Sequence, residues 1–156
     1  MKQQDQEGMK LALNEARKAF EAGEIPVGAV MMTPDGNVIA AAGNAREQKQ
    51  DPTAHAEIEV IREAARVLKS RRLSDCTMYV TLEPCPMCAG AALAAGLKRI
   101  VYGACDVEQG CCGSVYDIPE DPAFHQFSIC DGPFMEKECR EILDVFFHQR
   151  RKNNKT

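Results

Sequence analysis

Two short segments of the chain hold the residue types that zinc enzymes use. "HAE" places an imidazole at His55 and a carboxylate at Glu57, and "PCPMC" places two thiols at Cys85 and Cys88. Imidazole and thiolate are preferred ligands of Zn²⁺, and a catalytic zinc keeps three protein ligands and a water molecule. The spacing therefore predicts one zinc ion per chain, held by His55, Cys85 and Cys88.

The CxxC segment also has other interpretations. A thioredoxin-like redox pair leaves the HxE segment unexplained. A structural site with four cysteines needs a second CxxC, and the adjacent Cys111 and Cys112 are poorly spaced for two ligands of one metal. Finally, His55 and the two cysteines can be ordinary packed residues. The three-ligand site explains the largest number of these residues.

Glu57 sets a condition on the local structure. Inside a helix, residues two positions apart point about 200° away from each other, so His55 and Glu57 would diverge. They converge only if a helix begins at the motif, and "DPT" at 51–53 supplies residues that suit a helix start. Glu57 is then expected to move a proton from water to the substrate. Alternatively, it is a first-turn glutamate favoured by the helix dipole.

Helices and strands are expected on both sides of the HxE segment. The apolar pattern predicts a helix over 9–20, and "PVGAVMM" and "VIAAAG" predict a hairpin with its turn at 33–37. A polar loop over 44–50 leads to a helix over 51–70 with Asp51 or Thr53 as its cap. The buried face of this helix is predicted to contain Ile58, Ile61, Ala65 and Leu68.

The second half of the chain alternates strand and helix. The elements predicted there are a strand at 77–83, a helix at 86–96 that stops at Gly96, a strand at 99–103, a loop at 104–124, a strand at 127–130, and a C-terminal helix at about 133–151 with a basic tail at 150–156. Strands that alternate with helices after a hairpin predict a mixed sheet covered on both faces. The predicted fold is one domain, 1–156, built as a three-layer α/β/α sandwich with a mixed five-stranded sheet.

Composition and charge restrict the class of protein. The net charge of −4 over 156 residues does not by itself indicate a nucleic-acid-binding protein. The first ten residues lack the apolar core of a signal peptide, so we expect a cytoplasmic protein with reduced thiols. The cysteines outside the CxxC pair are expected to be small packed residues; these are Cys76, Cys105, Cys111, Cys112, Cys130 and Cys139.

The paired segments match the H-x-E…P-C-x-x-C signature of zinc-dependent cytidine and deoxycytidylate deaminases. Longer segments resemble the bacterial tRNA-specific adenosine deaminases, the TadA family. They are "EIPVGAV" at 24–30, "DPTAHAEI" at 51–58, "TLEPCPMCAGA" at 81–91, "GACD" at 103–106, "GCCGS" at 110–114 and the final "DVFFHQRR". The resemblance covers nearly the whole chain.

This resemblance implies a cytidine-deaminase-like fold, a homodimer, and hydrolytic deamination of the wobble adenosine of tRNA to inosine. It also implies zinc bound by His55, Cys85 and Cys88, with Glu57 as the proton shuttle. The residues expected to bind the substrate base are Asn44, Ala56, Pro84 and Asp106. The residues expected to contact the anticodon stem-loop through stacking and phosphate contacts are Phe147, Arg150 and Arg151.

The acidic segment 106–121 departs from the family pattern, because Glu108 stands where relatives often have lysine. This feature favours a small substrate, whereas the basic, aromatic C-terminal segment favours RNA. One alternative is therefore a zinc-dependent deaminase of a free base or nucleoside, of guanine or cytosine type. Another is a non-catalytic module stabilised by zinc, against which Glu57 argues because structural zinc needs no proton shuttle.

Overall fold

A mixed five-stranded sheet forms the centre of the protein, and helices cover both of its faces. The computed structural model describes residues 2–154. The helices are α1 (Lys2–Glu21), α2 (Arg46–Lys49), α3 (Ala56–Leu68), α4 (Pro86–Ala95) and α5 (Glu136–Asn153). The strands are β1 (Gly28–Met32), β2 (Val38–Gly43), β3 (Thr77–Leu82), β4 (Arg99–Ala104) and β5 (Ile129–Asp131).

The strand order is β2-β1-β3-β4-β5, and this order brings the ends of four strands together at one edge of the sheet. Strand β1 is antiparallel to both β2 and β3, whereas β3, β4 and β5 are parallel. Gly28 pairs with Gly43, and Leu82 pairs with Ala104. The start of β1 and the ends of β2, β3 and β4 therefore meet at the same edge.

Each face of the sheet has its own hydrophobic cluster, because neighbouring strand residues point to opposite faces. On one face, Val30 of β1 and Tyr79 of β3 pack against Met9 of α1 and Cys139 of α5. Met31, Met78 and Val80 pack on the other face, where α3 and α4 contribute mainly alanine side chains. The result is the predicted three-layer α/β/α arrangement, with small residues allowing α3 and α4 to approach the sheet closely.

Helix α1 starts seven residues before the predicted helix at 9–20, and a buried polar network explains the difference. Asp5 accepts hydrogen bonds from Arg99 Nη1 (2.7 Å), Arg99 Nη2 (3.0 Å) and Tyr79 Oη (2.8 Å). The first turns of α1 lack an apolar pattern, so the sequence alone did not indicate them. Their helical structure is supported by these contacts to β3 and β4.

Helix α3 begins at Ala56 with His55 as its N-cap, so the predicted start near Asp51 was wrong. Asp51 instead accepts a hydrogen bond from the Thr53 amide at 2.8 Å, in the turn that precedes the helix. The predicted buried face was also wrong, since Leu68 is 41% exposed. The buried residues of α3 are Ala56, Glu57, Val60 and Ala64, because these positions face the sheet.

The remaining differences are small. The expected polar loop at 44–50 contains the short helix α2, the last strand is at 129–131, and α5 begins at Glu136. Gly96 ends α4 in the left-handed conformation, with φ of 70°, as predicted. The predicted basic tail at 150–156 is helical as far as Asn153, and 155–156 lie outside the described residues. Within residues 2–154, no helix has both the length and the apolar character needed to cross a membrane.

Candidate metal and catalytic site

His55 and Cys85 are the N-cap residues of α3 and α4. Both lie at the edge of the sheet where the start of β1 meets the ends of β2, β3 and β4, and Cys88 lies in the first turn of α4. His55 Nδ1 lies 3.7 Å from Cys85 Sγ and 3.5 Å from Cys88 Sγ. In a tetrahedral zinc site, usual bond lengths place a nitrogen and a sulfur ligand about 3.6 Å apart. All three donor atoms lie within 4.8 Å of one another. The set therefore has the composition and spacing of a three-ligand metal site.

The three donor groups are electrostatically coupled. A hydrogen bond from the Cys88 thiol, with a further one from His55, lowers the pKa of Cys85 to about 4. The same contact with Cys85 raises the pKa of Cys88, and burial raises it further. The hydrogen bond to Cys85 also raises the pKa of His55. The arrangement thus favours a thiolate at Cys85, where unpaired helix N–H groups also favour negative charge.

Glu57 is the second residue of α3, and its side chain is only 4% exposed. Burial raises the pKa of Glu57 to about 6. His55 still has extended backbone angles, with φ of −70° and ψ of 153°, so the helix begins between the two residues. Both side chains consequently line the same cavity, as their convergence requires.

This cavity, with a volume of about 90 Å³, contains most of the predicted substrate-binding residues. Asn44, Ala56 and Asp106 line it, together with Arg46 and Gln109. Pro84 is buried outside the lining, and its carbonyl accepts a hydrogen bond from the Cys111 amide at 2.8 Å. The structure therefore brings three of the four predicted residues together around the metal-ligand set.

Asn44 leaves one polar atom available to a ligand. Its Nδ2 donates to the Ile25 carbonyl at 3.4 Å, whereas its buried Oδ1 has no hydrogen-bond partner among residues 2–154. The buried Nε of Arg46 is likewise unpaired in that part of the chain. Buried polar atoms without partners are costly, so both atoms favour a polar ligand in the cavity.

Two buried carboxylates were not predicted from the sequence: Glu83, which lines the cavity, and Glu24, which precedes the lining residue Ile25. Glu24 accepts hydrogen bonds from the amides of Glu47 (3.1 Å) and Gln48 (2.8 Å). Glu83 accepts four hydrogen bonds from the segment after β4. Their positions in the sequence are the signal that could have identified them, because each glutamate lies next to a strand in an otherwise apolar motif, "GEIPVG" or "TLEPC". An acidic residue there needs buried hydrogen-bond donors.

The predicted RNA-contacting residues lie at the end of α5. Phe147 is 38% exposed, and Arg150 and Arg151 are exposed. Phe146 is buried against Phe20, with ring centroids 5.5 Å apart, and Arg150 lies over its ring at 5.2 Å. Phe20 belongs to the last turn of α1, which leads directly to Glu24 and Ile25 beside the cavity. This end of α5 therefore packs against the helix turn that leads into one wall of the cavity.

The six other cysteines agree in large part with the packing prediction. Cys76, Cys111, Cys112 and Cys139 are buried, whereas Cys105 and Cys130 are partly buried. None of the cysteines in residues 2–154 forms a disulfide. Burial of Cys76, Cys111, Cys112 and Cys139 agrees with side-chain packing, whereas Cys130 Sγ lies within 4.8 Å of carboxylate oxygens of Asp117 and Glu120.

Comparison with known proteins identifies the family of the chain. The MafB19-like deaminase family matches residues 3–151. The tRNA-specific adenosine deaminase of Bacillus subtilis (strain 168) is 45% identical over 153 residues, which cover 97% of this chain and 94% of that protein. The chain belongs to the tRNA-specific adenosine deaminase family. The resemblance noted in the sequence is thereby confirmed.

Solved structures confirm the predicted fold. One, from work on A-to-I editing by tRNA:A34 deaminases at the wobble position of transfer RNA, has a TM-score of 0.84 and 44% identity, and the match covers 88% of this chain and 99% of that chain. The guanine deaminase of Bacillus subtilis has a TM-score of 0.62 and 32% identity, with coverage of 94% and 93%. The cytidine-deaminase-like architecture is thus shared with enzymes that act on different purines.

Proposed function

We propose that this protein is a zinc-dependent hydrolase that converts adenosine to inosine at the wobble position of tRNA. The observation that carries the proposal is that His55, Cys85 and Cys88 form one donor set, and that the buried carboxylate of Glu57 lines the same cavity as His55 and Cys85. A redox pair or a packed cluster would not require Glu57 there. The similarity to tRNA-specific adenosine deaminases supports the choice of adenosine in tRNA as the substrate.

The donor set fits a single zinc ion held by His55, Cys85 and Cys88. Two thiolates and one neutral imidazole balance the charge of Zn²⁺, which makes the buried site electrically neutral. Zinc, when bound, supplies an acidified water molecule next to the substrate. The cysteines outside the CxxC pair have no part in this set.

Glu57 performs the proton transfers that the reaction needs. As water adds to C6 of adenine, the Glu57 carboxylate takes a proton from that water and delivers it to the ring nitrogen beside C6. It then carries the second proton to the departing amino group, so that adenosine and water give inosine and ammonia. Because Glu57 is buried, its proton passes to the substrate rather than to bulk solvent.

Asn44 and Ala56 supply hydrogen bonds to the base. The unpaired Oδ1 of Asn44 accepts from a donor on the purine. The amide of Ala56, at the first position of α3, has no partner within the helix and therefore donates to the base. Asp106 forms part of the facing wall. These contacts orient the reacting carbon toward the proposed metal and Glu57.

The larger partners are the tRNA anticodon stem-loop and a second copy of the chain. The exposed ring of Phe147 stacks with a flipped-out base of the anticodon loop, and the cations of Arg150 and Arg151 contact its phosphates. The homodimer would cover the apolar surface beside α4, where Phe124 is 50% exposed and lies next to Leu93. Both assignments extend the proposal from the site to the assembly.

The test uses zinc-loaded protein with two substrate pools: an anticodon stem-loop with adenosine at the wobble position, and a mixture of free bases and nucleosides. We expect inosine in the RNA and no turnover in the second pool. The variant Glu57→Gln should lower the rate by about 10²- to 10⁴-fold while zinc stays bound. Glu63→Gln, on the outer surface of α3, is the matched control with an unchanged rate.

Two results would contradict parts of this proposal. Turnover of a free base alone would change the proposed substrate from tRNA to a free base and leave the site assignment in place, in line with the similarity to guanine deaminase. An unchanged rate in Glu57→Gln with zinc still bound would remove Glu57 from the mechanism. Mass spectrometry of the RNA and an ammonia assay distinguish these results.

A further inference from the structure

The side chain of Glu83 joins the end of β3 to the segment that follows β4. Its Oε1 accepts hydrogen bonds from the Asp106 amide (3.0 Å) and from Ser114 Oγ (2.5 Å). Its Oε2 accepts from the amides of Cys112 and Ser114, each at 3.0 Å. No lysine or arginine within residues 2–154 forms an ion pair with it. Four donors from one segment therefore satisfy a single buried carboxylate.

These contacts connect one wall of the cavity to the proposed metal ligands. Pro84, the next residue, accepts a hydrogen bond from the Cys111 amide at 2.8 Å, and Cys85 follows directly. Glu83 and Pro84 thus both form hydrogen bonds with the 106–114 segment, and the next residue, Cys85, supplies one donor of the ligand set. The position of that segment is consequently fixed relative to Cys85.

The same segment carries two side chains that line the cavity, Asp106 and Gln109. The Oδ1 atom of Asp106 accepts hydrogen bonds from the amides of Glu108 (3.0 Å) and Gln109 (3.3 Å), which keeps the segment compact. Gly110 is needed for this approach, because a Cβ there would lie 2.4 Å from Glu83 Cδ and 2.5 Å from the Asp106 carbonyl oxygen. The wall and the carboxylate are therefore packed directly against each other.

We infer that Glu83 is a positioning residue, which holds the 106–114 wall at a fixed distance from the metal ligands so that the bound base faces Glu57. The inference rests on the proposed deaminase function. Catalysis depends steeply on such placement, because a displacement of about 1 Å can lower a rate about 10²-fold. Glu83 acts through the wall, since its own oxygens are all occupied by donors from that segment.

The test is the variant Glu83→Gln in the zinc-loaded protein. Glutamine keeps the size of the side chain, but its NH₂ group cannot accept. In one orientation this group faces the amides of Cys112 and Ser114, and in the other it faces the Asp106 amide, so at least one donor of the wall loses its acceptor. Single-turnover deamination of the wobble-adenosine stem-loop, with enzyme in excess, separates two effects. We expect the rate constant to fall about 30- to 100-fold while the amplitude stays complete and the zinc content is unchanged. A merely structural role would lower the amplitude and leave the rate constant near that of the wild type, which would overturn the inference.

Two further variants give graded controls. Ser114→Ala removes only the hydroxyl contact to Glu83 and should lower the rate constant about 3- to 10-fold, so it carries the test if Glu83→Gln does not fold. Glu63→Gln should leave the rate constant unchanged.

Hydrogen exchange of the Cys112 and Ser114 amides is measured without substrate. Faster exchange in Glu83→Gln supports anchoring of the wall, and unchanged exchange refutes it. If the wild type forms no inosine at all, the proposed function fails, while the exchange result still decides the anchoring.

Discussion

Replacement of Asp5 by asparagine should destabilise the protein strongly, although Asp5 lies far along the chain from the site. Asp5 is a buried residue in the first turn of α1 and accepts three hydrogen bonds, two from Arg99 and one from Tyr79. Asparagine preserves the shape of the side chain, removes its negative charge, and turns an NH₂ group toward the Arg99 guanidinium. The change therefore tests whether this network holds α1 on the sheet.

The magnitude follows from what remains after the substitution. Hydrogen bonds to charged groups contribute about 1.5–3 kcal/mol each. Arg99 keeps its second partner, because its Nε donates to Asp131 Oδ2 at 2.6 Å, and Tyr79 can still donate to the amide oxygen. The loss is thus expected at about 2–3 kcal/mol, below the 3–5 kcal/mol for stranding a buried charge. For a chain of this length, the melting temperature should fall by about 4–12 °C.

The pH dependence has a defined sign. Burial raises the pKa of Asp5, but the hydrogen bonds from Arg99 and Tyr79 outweigh it and hold the pKa below its ordinary value of 3.8. Because the pKa is lowered in the folded state, the stabilisation is present above the unfolded pKa and is lost as the pH falls through the folded pKa. The stability difference between wild type and variant should therefore be constant from about pH 7 to pH 5 and shrink below about pH 4.

Urea unfolding of the zinc-loaded proteins, followed by circular dichroism at several pH values, measures both quantities. Asp131→Asn is the matched control, because the Asp131 side chain is 48% exposed and its ion pair with Arg99 should contribute less than about 1 kcal/mol. A loss for Asp5→Asn of under about 0.5 kcal/mol at pH 7 would refute the reasoning. So would a difference that grows on acidification.

Three further outcomes test the ligand set, the second wall and the assembly. Cys85→Ser should abolish zinc binding measured by elemental analysis, whereas Cys139→Ser, on the buried side of α5, should retain one zinc per chain; equal zinc contents would exclude Cys85 as a ligand. Glu24→Gln should accelerate hydrogen exchange at the Glu47 and Gln48 amides and lower deamination about 10-fold, and normal exchange would disprove its anchoring role. Phe124→Ser should weaken self-association in sedimentation experiments, and an unchanged mass would show that the dimer uses another surface.

The sequence was most informative where chemistry constrains geometry locally. His55 and Glu57 converge only if a helix begins between them, and α3 does begin there. Gly96 ends α4 because the left-handed conformation there favours glycine. In both cases, the decisive information lies within a few residues of the feature. Spacing and residue type then indicate the feature, although the candidate caps Asp51 and Thr53 placed the start of α3 too early.

The sequence was least informative where distant residues decide the outcome. The start of α1 depends on Asp5 and Arg99, which are 94 positions apart. The buried side of α3 was mispredicted because Ile58 and Leu68 suggested an apolar face, whereas Glu57 and two alanines pack inward. A charged residue on the buried side contradicts the usual apolar pattern. The proposed role of Glu57 in proton transfer, rather than packing, accounts for that exception.

The topology explains why the site forms at one edge of the sheet. Because β1 runs against β2 and β3, its start lies beside the ends of β2, β3 and β4. Asn44, Cys85 and Asp106 all follow strands at that edge, and none of them lies within a strand. Backbone groups that leave a sheet need new partners. Glu24 and Glu83 supply those partners on the two sides of the cavity, so the same buried carboxylates that satisfy the irregular segments also fix the shape into which a base must fit.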